Sequence, residues 1–325
     1  MRALIQQQFG DPAEVLAVED VPLPEPGPRE VRIRVLLSPI HNHDLWTVRG
    51  SYGYKPELPA RAGTEAVGVV DAVGAEVQGF AVGQRVATGG TFGAWSEYLI
   101  AKAGALVPVP DGISDEVAAQ LVSMPFSAIT LVDFLEVGAG DVIIQNTANG
   151  AVGRMVAQIA TSRGIRVIGV VRRSEDAAAL AVSGIDDVVA TDQEDWKVQV
   201  RELAGDRPIR AAVDSVGGRA AGDLLHLLGD GGMLVSFGAM ASPQLELLSG
   251  DLIFKQAVVK GFWASKISEA MPTETRQALF GELVGLIAGG RLTLPVDSIH
   301  PLEDIRAAVA ASGRQGRAGK VLLRP

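Results

Sequence analysis

Asp141-Val142-Ile143-Ile144-Gln145-Asn146-Thr147-Ala148-Asn149-Gly150-Ala151-Val152-Gly153 is the stretch that decides the fold. It opens as a short apolar strand and ends in a turn of small residues. Val152, Met155, Val156, Ile159 and Ala160 then recur at helical spacing. Strand, glycine turn and helix in that order are the setting a dinucleotide site needs. Unpaired N–H groups and the helix dipole attract anions at a helix N-terminus, and small residues let the backbone approach a pyrophosphate. The turn departs from G-x-G-x-x-G at its first position, where Ala148 stands. A tight strand–helix turn without ligand would read the same way; the strand–helix setting favours binding. Asn149, Gly150, Ala151 and Val152 are the residues expected at the pyrophosphate.

Downstream, the same rhythm continues. Val167-Ile168-Gly169-Val170-Val171, Asp187-Val188-Val189, Ala211-Ala212-Val213 and Met233-Leu234-Val235 are strands separated by helical patterns. This β-α-β alternation predicts an α/β class with a mostly parallel, doubly wound sheet covered by helices. The end of the second strand bears on the cofactor. A site for NAD usually places Asp or Glu there, on the ribose 2′-hydroxyl. This chain has Arg172-Arg173-Ser174, two guanidinium groups and a hydroxyl that suit a 2′-phosphate. Two solvated arginines are the alternative. The expected cofactor is NADPH. Phe237-Gly238-Ala239-Met240 follows a further strand, so its backbone is expected beside the nicotinamide ribose; the glycine could equally just end the strand.

Upstream, residues 1–120 read as β-rich. Val31-Arg32-Ile33-Arg34-Val35 alternates as a half-buried strand does. Gly63 to Gly74 is dense in Val and Gly, and Pro22, Pro24, Pro26 and Pro28 form a stiff connection. At the other end Leu279, Leu283, Leu286 and Ile287 mark one helix, and Leu302, Ile305 and Val309 another. Lys320-Val321-Leu322-Leu323 is a last strand.

Composition narrows the function. The chain has 325 residues, 47% hydrophobic and 21% charged, with a net charge of −9. No basic patch suggests nucleic acid, and no apolar run reaches the roughly 20 residues of a membrane span. The N-terminus lacks the look of a signal or transit peptide, so a cytoplasmic protein is expected. There is no cysteine, which removes disulfides, thiolate catalysis and Cys-based zinc sites. His41, His43, His226 and His300 are the only histidines.

Taken together, these residues resemble the medium-chain dehydrogenase/reductase superfamily, over nearly the whole chain. Gly83-Gln84-Arg85-Val86 and Gly319-Lys320-Val321 are similar to its signatures. The chain looks most like the zinc-free branch of quinone oxidoreductases and mitochondrial-type 2-enoyl thioester reductases. Four stretches carry this: Gly50-Ser51-Tyr52-Gly53 with Pro56-Glu57-Leu58-Pro59, the turn Gln145–Gly153, Arg172, and Lys260-Gly261-Phe262-Trp263. The resemblance implies a GroES-like catalytic domain over 1–120 and 265–325, a Rossmann domain over 121–264, and a homodimer. It implies Phe262, Trp263, Ala264 and Ser265 near the nicotinamide, and Tyr52 as hydrogen-bond or proton donor. Trp263 and Asn42 are expected to touch substrate, and Lys320 to reach the cofactor phosphates. Met124-Pro125 and His41-Asn42-His43-Asp44 depart from the pattern of the enoyl reductases, at the expected nicotinamide and substrate pockets.

Zinc relatives would have Cys where His41 stands and His where Thr64 stands. His41, His43, Asp44 and Glu65 could form a cluster, since 41 and 43 would share one face of a strand. Two of the usual ligands are missing, so no metal is expected. Asp44 and Glu65 are then structural hydrogen-bonding groups. Without a Lewis acid, conjugate reduction is easier than reduction of a simple ketone. The expected reaction is hydride transfer from NADPH to a 2-enoyl thioester, enone or quinone. A catalytically silent NADPH sensor and a zinc alcohol dehydrogenase are the alternatives.

Overall fold

A computed structural model describes residues 1–182, 185–314, 316–317 and 319–325. The chain divides into two compact units, Met1–Met124 with Leu294–Pro325, and Pro125–Thr293.

The second unit is built on a six-stranded sheet. Its strands are β1 (Val142–Asn146), β2 (Arg166–Val171), β3 (Val188–Ala190), β4 (Ile209–Asp214), β5 (Met233–Ser236) and β6 (Val258–Gly261). They run in the order β3-β2-β1-β4-β5-β6, and every pairing is parallel. That is the doubly wound order, with its reversal between β1 and β4. Strands buried on both faces read as continuous apolar runs: Val142, Ile144, Ile168, Val170, Ala212 and Leu234 form one core with Leu224, Leu225 and Val200 from covering helices.

The return to the first unit falls at Leu294, not at 265 as the sequence suggested. The helix Thr273–Ala288 belongs with the second unit. Phe280 stacks on Phe126 at 4.5 Å, and Glu282 pairs with Arg163 at 2.9 Å. An apolar helical stripe does not state which core it serves.

The first unit is β-rich. Its larger sheet runs Val296–Pro301, Lys320–Arg324, Glu30–Pro39, Glu65–Val73, Arg85–Gly89, Leu106–Pro108, with Tyr98–Lys102 also paired to Glu30–Pro39. Leu16–Asp20, Arg2–Gln6 and Ala60–Arg61 form a smaller sheet. Trp95, Leu4, Ile40, Val321 and Leu323 share one core. Gly63, at φ +85°, lies against Trp95; a Cβ there would come within 2.3 Å of the indole. This close approach fixes the chain just before Thr64 and Glu65.

Candidate active site

In the second unit the expected cofactor residues lie at the carboxyl ends of parallel strands. Beyond β1, Gly150 is the N-cap of the helix Ala151–Ser162, whose first N–H groups have no intrahelical partner. Gly153 permits the close packing of turn and helix: a Cβ on it would meet Thr147 O at 2.6 Å. Ala148, the residue out of pattern, is fully buried. Its Cβ faces Gly169 on β2, where a Cβ would stand 2.8 Å away. The extra methyl is accommodated by a glycine on the neighbouring strand.

Arg172 and Arg173 are not equivalent. Arg172 is exposed and, among the described residues, has no side-chain partner. Arg173 donates two 3.0 Å hydrogen bonds to Asp176 and pairs with Glu175. Ser174 is also engaged: its N–H and hydroxyl donate to Asp192 at 2.9 and 2.8 Å.

Phe237, Gly238, Ala239 and Met240 follow β5, and Phe262, Trp263, Ala264 and Ser265 follow β6. Phe237 and Phe262 approach at 5.8 Å between ring centroids. The Phe262 side chain is buried and meets Phe134 edge-on, whereas Trp263 is half exposed.

The first unit holds a different kind of centre. His41 and His43 do not share a strand face as expected: Asn42–Arg49 is a helix with His41 as its N-cap. The helix still brings the two rings together, stacked at 5.0 Å. Asp44 Oδ2 accepts the His41 N–H at 3.0 Å, a carboxylate at a helix N-terminus. Thr64 donates to Asp44 Oδ1 at 2.7 Å, so its hydroxyl oxygen accepts from His43 Nε2 at 2.8 Å. Glu65 Oε2 and His41 Nε2 share a hydrogen bond of 2.6 Å, and Oε1 accepts the Val122 and Ser123 N–H groups, both at 2.7 Å.

Burial pushes the Glu65 carboxyl up to about 7, against the pull of the Ser123 and Val122 amides. Burial, then Lys320 and His43, hold the His41 imidazole well below its ordinary value, so it is neutral. Lys320 is 6% exposed and lies in this unit. Burial and Arg317 lower its ammonium to about 8, while Asp44 and Glu65 act in the opposite sense.

Tyr52 lies near its rim, its ring 5.9 Å from that of His43. The tyrosine loop starts at a helix end capped by Gly50 N–H to Thr47 O and Ser51 N–H to Trp46 O. Asn42 occupies the first turn of the same helix.

The donor set does not fit zinc. The Asp44 and Glu65 carboxylate oxygens are taken up by Thr64, His41 and backbone N–H groups, and His43 Nε2 by Thr64. Among the described residues, no group of three or more His, Asp or Glu could hold a metal ion. The strand ends of the second unit do fit a dinucleotide: a cradle that a Cβ would fill, a helix N-terminus, and an unpaired exposed arginine. Sequence reading missed Asn146 and Asp214, which end β1 and β4 and bond to each other. A buried polar residue closing an apolar strand was the available signal.

Residues 27–111 match the alcohol dehydrogenase GroES-like domain family, and 151–279 the zinc-binding dehydrogenase family. Mitochondrial enoyl-[acyl-carrier-protein] reductase of Homo sapiens is 34% identical, over 99% of this chain and 88% of the relative. That of Caenorhabditis elegans is 31% identical, over 93% and 89%. Escherichia coli quinone oxidoreductase complexed with NADPH superposes with a TM-score of 0.90 at 26% identity, covering all of both chains. The quinone oxidoreductase of Pseudomonas syringae gives 0.89 at 29%, covering 100% and 99%.

Proposed function

Since the chain belongs to the medium-chain dehydrogenase/reductase superfamily, a family of oxidoreductases, we propose that it transfers hydride from NADPH, without zinc, to a conjugated acceptor. The acceptor is a 2-enoyl thioester, an enone or a quinone. Arg172 carries the cofactor part: a guanidinium left exposed and unpaired at the strand end, where the 2′-phosphate of NADPH would lie. The names of the relatives, enoyl reductase and quinone oxidoreductase, support the acceptor class.

In this reading Asn149, Gly150, Ala151 and Val152 hold the pyrophosphate with backbone N–H groups, and Arg172 holds the 2′-phosphate. Phe237 to Met240 and Trp263 to Ser265 border the nicotinamide half. Bound NADPH supplies the hydride. Tyr52 donates a hydrogen bond to the acceptor oxygen and then a proton to the reduced product. Asn42 and Trp263 orient the acceptor. The buried His41–Glu65 and Thr64–Asp44 pairs hold the helix Asn42–Arg49 that leads into the tyrosine loop.

NADPH oxidation followed at 340 nm with crotonyl-CoA, a longer enoyl-CoA, simple enones and quinones tests the proposal. We expect turnover with at least one of these classes and no loss of it after chelator treatment. Tight NADPH binding with no turnover on any acceptor would favour a sensor. Stoichiometric zinc by elemental analysis would favour an alcohol dehydrogenase.

A homodimer goes with this reading. β6 is an edge strand, and Val258, Val259, Ile253 and Phe254 in and beside it are exposed, Phe254 at 84%. An apolar sheet edge suits a second copy of the chain. Light scattering should give twice the 34.0 kDa chain mass, and Phe254→Asp with Val259→Lys should give the monomer. A cytoplasmic location, expected from the sequence, is checked by cell fractionation; among the described residues no helix is long and apolar enough to cross a membrane.

A further inference from the structure

Two polar side chains are buried at the carboxyl ends of the two strands where the sheet order reverses. Asn146 ends β1 and is 6% exposed; Asp214 ends β4 and is fully buried. Asn146 donates its amide N–H to Asp214 Oδ1 and accepts the Ser215 N–H at 2.7 Å. Asp214 accepts the Val216 N–H at 3.1 Å, and the Gly217 N–H at 3.0 Å on Oδ2. Its main-chain carbonyl accepts from Phe237 at 2.7 Å and Gly238 at 3.2 Å.

The hydrogen-bond chain continues outward. Ser215 O accepts from Met240 at 3.0 Å, and Val216 O accepts from Ala241 at 3.0 Å. Gly238 sits on Ser215: a Cβ at 238 would come within 3.1 Å of Ser215 O. The segment after β4 is therefore tied to the Asp214 carboxylate, and the segment after β5 to the main-chain carbonyls of Asp214, Ser215 and Val216. Burying an ionised group is costly unless its lone pairs are filled. Here three donors, the Asn146 amide and the Val216 and Gly217 N–H groups, fill them. Such an arrangement is easily lost, because replacing an acceptor leaves N–H groups facing no partner.

We propose that Asn146 and Asp214 are a positioning pair for the dinucleotide, which sets the loops 215–217 and 237–240 before the nicotinamide half binds. Neither residue touches the cofactor in this role. They act through the backbone, at the place in an open α/β sheet where ligands collect. The inference rests on the dinucleotide reading given above.

The pair predicts a swap experiment. Asp214→Asn turns an acceptor oxygen into an NH2 facing N–H donors. Asn146→Asp sets two carboxylates side by side. The double exchange restores one carboxylate and one amide in contact, and with them the side-chain hydrogen bond and an acceptor for Ser215 N–H. Each single variant should weaken NADPH about ten-fold or more, measured by fluorescence titration, and the double exchange should recover part of that loss, since the Val216 N–H is left without its acceptor. Adenosine 2′,5′-bisphosphate carries only the adenine half, so its affinity should change less than about two-fold in all three variants.

Melting temperature and circular dichroism accompany each titration. If Asp214→Asn does not fold, Asn146→Ala carries the same comparison of the two ligands. Equal weakening of NADPH and of the bisphosphate, or no recovery in the double exchange, would overturn the positioning role. Wild-type protein that binds neither ligand would instead overturn the dinucleotide reading, and the proposal with it.

Discussion

The two candidate halves of this oxidoreductase are made of opposite materials. In the second unit, the candidate nucleotide end of the sheet is backbone and absence: glycines where a Cβ would clash, helix N–H groups, and one guanidinium without a partner among the described residues. In the first unit the centre is side chains hydrogen-bonded to one another, from His43 through Thr64 to Asp44 and from His41 to Glu65, with His41 Nδ1 buried and, among the described residues, without a partner. An open, unsatisfied surface is what a charged ligand can use. A buried, hydrogen-bonded cluster is what holds a loop in place. The comparison separates binding from positioning, and it can be attacked from both sides.

The largest effect is expected at the rim of the closed cluster. Tyr52→Phe removes the donor and should lower kcat by about 10² to 10⁴, the range for general acid catalysis, with NADPH affinity unchanged. Unchanged kcat would leave the tyrosine as a packing residue. Next is the nucleotide turn. Gly153→Ala places a methyl against Thr147 O, and overpacking of about 1–3 kcal/mol should weaken NADPH and NADH alike by about 5- to 150-fold. Arg172→Ala should weaken NADPH by about 10- to 100-fold and NADH hardly at all, as expected for charged hydrogen bonds. Arg173→Ala should do much less, because Asp176 and Glu175 already hold that guanidinium. Equal effects of the two arginine variants would break the distinction.

The closed cluster also predicts a pH dependence of stability. Glu65 rises from 4.5 to about 7 on folding, mainly through burial. Between these values the folded chain binds more protons than the unfolded one, so the Glu65 contribution to stability falls as pH rises through that window. Lys320 falls from 10.5 to about 8, so above pH 8 the unfolded chain holds the extra proton and stability rises with pH up to 10.5. Glu65→Gln should flatten the decline below pH 7, a change of at most about 3 kcal/mol, read from melting curves across pH. An unaltered pH profile would mean that Glu65 does not titrate there. The smallest effect is expected at Asp192, which occupies the Ser174 N–H and hydroxyl beside Arg172. Asp192→Asn should improve NADPH affinity by about two- to five-fold and leave NADH unchanged, the scale of an exposed charge.

The legible parts of the chain share a physical cause. Strands buried on both faces must be apolar throughout, so β1, β2, β4 and β5 announce themselves, and the turn after β1 needs small residues whatever surrounds it. The helix Thr273–Ala288 showed its apolar stripe but not its partner, and the boundary between the units was misplaced for that reason. His41-Asn42-His43-Asp44 gave no period and looked like strand. Asp44 at the third helical position, accepting from the His41 N–H, makes it a helix start.

By itself the sequence determined the doubly wound order of motifs, the glycine turn, and the arginines at the next strand end, because each depends on neighbours within a few residues. Only the tertiary structure decided that, among the described residues, Arg172 has no side-chain partner while Arg173 is held by Asp176. It also decided that Ala148 is matched by Gly169, and that Asn146 and Asp214 share their hydrogen bonds. Each of these facts is a contact between segments, and the acceptor that satisfies a given donor is set by the fold rather than by the residue beside it.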